Sequence, residues 1–251
     1  MTHVFLLLIT ILSTHASAAP MAESFPVDGP NCYNTALRLH GLIEEDRYVG
    51  YSECKAFLNK FFTEQSAAQE SQDLDIIAYG DLAHVIVQTS QNNFFHKLGV
   101  AKEYKREALE KDKMNQLLIK SKISLWPKKI YRYNGNQEHL YSNQEKKWLK
   151  AFASLFITPK FFNQAHLAIR TREILDSLKK KSKSQFFHHA LDSFYELTTR
   201  MIENAEHKKY ANPFLCTTLK PLSEDQKQSL NHQIDAISLH PTAEALFDIL
   251  K

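Results

Sequence analysis

Glycine is scarce in this chain, six in 251 residues, and proline numbers only eight. So small a supply of turn formers points toward helix over most of the length. Long apolar runs are also missing: no stretch has the length and apolarity of a membrane helix. Neither sign of charge dominates. Lys and Arg total 31 against 28 Asp and Glu, a net charge of +3, which argues against a dedicated nucleic-acid binder with its strongly basic face. That mild positive balance suits an anionic cell-wall polymer, but it suits nothing in particular almost as well. No glycine-rich phosphate loop and no His-Glu-x-x-His pattern occurs, and no cofactor is expected.

The amino terminus reads as a targeting segment. Val4 to Leu12 is too short to span a bilayer and leads into Ala16-Ser17-Ala18, a small-residue cleavage pattern. A signal peptide over 1–18 makes the mature chain periplasmic or secreted, with no integral membrane segment after its removal. Three cysteines in an exported chain leave one unpaired. Cys54 and Cys216 are candidates for a disulfide, which would leave Cys32 free, although three cysteines allow three pairings.

After a polar, proline-marked lead, Tyr33, Ala36, Leu37, His40 and Leu42 recur at helical spacing. This predicts a helix from about Cys32 to Ile43, capped by Asn31. Ser52 to Phe62 predicts a second helix with an apolar face, and Thr63 to Gln72 a loop. A β-region follows: a strand over Asp75 to Tyr79, a turn at Gly80-Asp81, and a hairpin of Ala83–Gln88 and Phe94–His96. Further strands are expected around Lys122–Trp126 and Lys129–Tyr133. From Ser142 onward the period is helical, with Pro159 opening a new helix and Pro213 and Pro221 breaking the chain before two shorter ones.

The chemistry on offer is a thiol and two imidazoles. Cys32 stands at a helix start, where unpaired amides and the helix dipole favour a thiolate. His84 opens a strand expected to lie against that helix, where it could take the thiol proton. His96, twelve residues on, could fix the tautomer and orientation of His84. The plain alternative is a half-cystine and two ordinary strand histidines. The order and spacing taken together favour the site.

That order resembles the NlpC-type papain-like cysteine peptidases of bacterial cell walls. There, a Cys begins a helix, a Gly-Asp precedes a strand, and a His-Val-Gly-Ile-Tyr-like strand turns into another ending in His, Asn or Gln. Cys32, His84 and His96 fall on the three catalytic positions, and Leu74-Asp75-Ile76-Ile77 stands where the Gly-Asp strand belongs. The resemblance covers roughly residues 28 to 134. Asn31-Cys32-Tyr33-Asn34 replaces the usual Asp-Cys-Ser-Gly, Leu74 replaces the glycine, and Lys97 beside His96 is an unusual neighbour. The resemblance implies cleavage of peptide bonds in peptidoglycan stems: Cys32 as nucleophile, His84 as base and then acid, His96 as orienter, and the Cys32 amide as oxyanion donor. Tyr33 and Tyr79 are candidate substrate contacts.

Other clusters carry less. His188-His189 with Asp192 has a spacing that can bind metal, but its setting reads as a solvated helix face. Lys179-Lys180-Lys181 reads as cations at a helix end. The expected whole is an α+β protein. A papain-like Cys/His module with a small antiparallel sheet occupies 19–135, and a mainly α-helical region over 136–251 offers a surface for a protein partner. Two functions remain open: an exported cysteine peptidase or amidase acting on peptidoglycan or another envelope peptide, and a catalytically silent envelope-binding or scaffolding protein that keeps the fold.

Overall fold

A computed structural model describes residues 30–66, 69–97, 106–135, 140–162, 164–211 and 221–251, with backbone alone over 205–211. Residues 1–18, expected to be a signal peptide, lie outside the described residues, as do Pro213 and Cys216. The architecture is α+β, nine α-helices and a six-stranded antiparallel sheet among those residues.

Helix α1 spans Cys32–Leu39. The Asn31 side chain caps it, accepting from the Asn34 amide at 3.1 Å and donating to the Val49 carbonyl at 2.7 Å. The helix stops four residues short of the expected Ile43. Gly41 takes the left-handed conformation (φ 67°), and the Leu42 amide turns back to the Leu37 carbonyl at 3.0 Å, closing the end. Helix α2 is Tyr51–Phe61 and runs straight into strand β1, Phe62–Gln65. The stretch expected to be loop therefore begins as sheet.

Strands β2 (Ile76–Tyr79), β3 (His84–Ser90) and β4 (Asn93–Lys97) form the expected meander. The β3–β4 turn shrinks to Gln91-Asn92 because both strands extend into the polar residues around it. Strand β5 (Arg106–Glu110) and helix α3 (Lys111–Lys120) carried no clear periodic signal. The strand expected at Lys122–Trp126 is instead a 3-10 turn, Ile123–Leu125, entered through Lys122 at φ 59°. Strand β6 (Lys128–Tyr133) completes the sheet, whose order is β1-β6-β2-β3-β4-β5.

The second half is helical: α4 (Asn143–Phe156), α5 (Pro159–Phe162), α6 (Ala165–Lys181), α7 (Gln185–Ala211), α8 (Glu224–Ile237) and α9 (Ala243–Leu250). A reciprocal capping box, Ser142 with Glu145, starts α4. The two halves share one core. A single cluster of buried side chains runs from Ala36 through Val85 and Val87 of the sheet to Phe152, Phe194 and Leu246 of the helices.

Residues alternate across a strand, so the sheet separates two apolar layers. Ile76, Ala78, Val85 and Val87 face the helical half. Ile77, Tyr79, Ile86 and Phe94 face the other way, against Met114 and Leu118 of α3 and Ile123. This division positions the candidate site.

Candidate functional site

Cys32 is the first residue of α1, as expected, and joins the helical-side core. Amides of Val85, Tyr33 and Cys32 itself lie toward its sulfur, and the charge of Lys97 also favours a thiolate. Desolvation outweighs all of them. Although the residue keeps some solvent contact, the protein packed around its thiol raises the pKa to about 11. Tyr33 follows, its hydroxyl donating to the Leu82 carbonyl, which ties the start of α1 to the β2–β3 turn.

His84 and His96 come together but not with Cys32. Their rings are 6.1 Å apart, edge to face. His84 pairs with Tyr79 in the β2–β3 ladder, and Phe95, beside His96, pairs with Val87. Strand alternation therefore puts both imidazoles on the α3 side of the sheet, and Lys97 on the side of Cys32. The expected nucleophile–base pair is divided by the sheet itself. Neither histidine forms a hydrogen bond with Cys32, and Phe95 and Lys97, not His96, are the β4 side chains on the thiol's side.

The imidazole pair is buried and under-bonded. His84 Nε2 and both nitrogens of His96 have no hydrogen-bond partner among the described residues. Burial first, and then the neighbouring His96, lower the His84 pKa to about 4. Burial also lowers His96, opposed by Glu107. Glu107 Oε1 lies 3.4 Å from His96 Nε2, close enough for charge attraction but not aligned for a hydrogen bond. Both rings are thus neutral near pH 7. Tyr79, His84, His96 and Glu107 form a polar row across β2 to β5 on this face.

The residues around Asp75 are structural. Arg132 forms a fork onto its carboxylate at 3.1 and 2.9 Å, and the Gln72 amide donates to it at 2.8 Å. Leu74, standing where the resemblance has glycine, takes the left-handed conformation at φ 67°, a backbone requirement glycine meets without strain. Ile86 stands where the resemblance has the glycine of its His-Val-Gly-Ile-Tyr strand. Its side chain fills the layer against α3.

Among the described residues no three His, Cys, Asp or Glu side chains are arranged to hold a metal ion. His188 contacts the Ser182 carbonyl at 3.0 Å, His189 contacts Ser52 at 3.1 Å, and Asp192 pairs with Lys179. Lys181 pairs with Asp235, so part of the lysine run is tied into the helical half.

The Ser52–His189 contact sits in a groove the sequence did not announce, because the two residues lie 137 positions apart on different helices. Arg106 escaped notice in the same way. It reaches α1 from β5, donating to Thr35 Oγ1 at 3.1 Å and Asn34 Oδ1 at 2.6 Å. No family profile, curated protein or solved structure matches the chain. No helix among the described residues is long and apolar enough to cross a membrane.

Proposed function

We propose that this chain is an exported envelope-binding or scaffolding protein, catalytically silent at Cys32. The observation that carries the reading is the separation of the thiol from both imidazoles by the sheet. A general base must come within hydrogen-bond reach of the proton it removes, and His84 faces α3 while Cys32 faces the helical half. Desolvation of the thiol works in the same direction. Export rests on the apolar leader and its small-residue end, and the partner is peptidoglycan or another anionic envelope polymer. The related reading, a peptidase with Cys32 as nucleophile, needs a register in which His84 turns to the other face.

The alkylation rate of Cys32 against pH, read by mass spectrometry, tests this. With a pKa near 11, the thiolate population at pH 7 is roughly 100-fold or more below that of a free cysteine thiol. Labelling is therefore slow at pH 7, climbs into the alkaline range, and is unchanged by His84→Ala. Fast labelling at pH 6–7 that His84→Ala slows would restore the peptidase and overturn the silent reading.

A further inference from the structure

We infer that the groove between α2 and α7 is a binding site for an acidic peptide. The inference rests on the envelope-binding reading and names the site and ligand chemistry of that binding. The groove holds about 470 Å³. Its α2 wall follows from helical spacing: Ser52, Lys55, Ala56, Asn59 and Lys60 share one face. The facing wall is the first turn of α7, where Gln185, Phe186 and His189 line it.

Three of the lining side chains are basic and none is acidic. Aromatic rings hold the ammonium groups in place. Lys55 lies 5.3 Å from the Tyr51 ring centroid and donates to its hydroxyl at 3.2 Å. Lys60 lies 5.3 Å from the Phe186 ring centroid. His189 is tethered across the groove by the 3.1 Å contact of its Nδ1 with Ser52 Oγ, which fixes the spacing of the walls. Positive charge is thus presented by Lys55 and Lys60 beside an apolar surface that includes Ala56 and Phe186.

A peptide fits this lining better than a phosphate chain. Carboxylates match the ammonium groups of Lys55 and Lys60, small apolar side chains match Ala56 and Phe186, and the amides of Asn59 and Gln185 can both donate to and accept from a peptide backbone. A polyphosphate would use the cations and leave the apolar surface and the amide acceptors unmatched.

The test uses the purified chain in low salt, titrated with Ala-Glu-Ala-Glu-Ala, its Gln-for-Glu counterpart with an amidated C-terminus, and tripolyphosphate. Sedimentation with insoluble peptidoglycan is measured alongside. The acidic peptide binds and its neutral counterpart does not. The double variant Lys55→Glu/Lys60→Glu weakens binding by about tenfold or more, while Lys150→Glu, an exposed charge reversal on α4, leaves it unchanged. Both lysines are exposed, so the thermal midpoint of the double variant reports whether the fold survives; if it does not, His189→Ala replaces it. Sedimentation that persists without peptide binding overturns the groove and leaves the envelope reading standing. Peptide binding at the groove without sedimentation does the reverse. Binding of tripolyphosphate in preference to the peptide overturns the peptide assignment.

Discussion

Lowering the pH from 7 to 4 removes several kcal/mol of folding stability, and two buried histidines are the cause. His84 and His40 each titrate near 4 in the folded chain, against an ordinary value of 6.5, chiefly because burial penalises the imidazolium. His40 sits against the rings of Phe62 and Tyr133, with the Asp75 charge only partly offsetting its desolvation. The unfolded chain takes up these protons as the pH falls through 6.5, while the folded chain resists until near 4. Stability is therefore complete above 6.5 and drains away across the interval below it. Each histidine contributes up to about 3 kcal/mol, a large share of the roughly 5–15 kcal/mol that holds an ordinary domain. Denaturant midpoints measured from pH 7 to 4 check this, with His40→Phe expected to flatten part of the slope. A midpoint that stays level over that range would show that these imidazoles are not held neutral.

Removing the Glu53 carboxylate destabilises the chain by about 3–5 kcal/mol. Arg47 and Glu53 form a fully buried pair, Arg47 Nη1 donating to Glu53 Oε2 at 2.8 Å and Nη2 engaging Oε1. Arg47 also donates to the Tyr48 carbonyl at 3.1 Å. Ser193 of α7 donates to the same carboxylate and accepts from the Gly50 amide at 2.8 Å. The cluster thus fastens α2 and the segment before it to the helical half. Glu53→Ala leaves a guanidinium in the core with its principal countercharge gone. Arg47→Met/Glu53→Leu, which removes both charges, loses much less than the sum of the two single changes. Denaturant melts of the three variants decide it, and a Glu53→Ala cost below about 1 kcal/mol would mean that water reaches the site.

Much of the fold was legible along the chain. Asn31 before Cys32, the apolar face of Tyr51–Phe61 and the stripes after Ser142 produce helices where their periodicity places them, because a helical face repeats within the segment that forms it. The hairpin of His84–Ser90 and Asn93–Lys97 was likewise visible. Elements went unseen or took another form where local pattern was weak or overruled. Arg106–Glu110 alternates poorly and becomes a strand by pairing with Asn93–Lys97. Phe62–Gln65 becomes one by pairing with Ile130–Tyr133. Lys122–Trp126 looks extended but is turned by a left-handed Lys122.

The sequence by itself determined that a cysteine opens a helix and that two histidines lie close together on a hairpin, since both follow from local spacing. It could not determine whether thiol and imidazoles meet. The run His84-Val85-Ile86-Val87 is buried on both faces, so its pattern carries no mark of which face α1 covers. Tertiary packing decided that. The larger core enclosed Val85 and Val87 with Cys32, and α3 covered Ile86 on the other side. Because side chains in a strand alternate, that one choice of face moved both histidines away from the thiol.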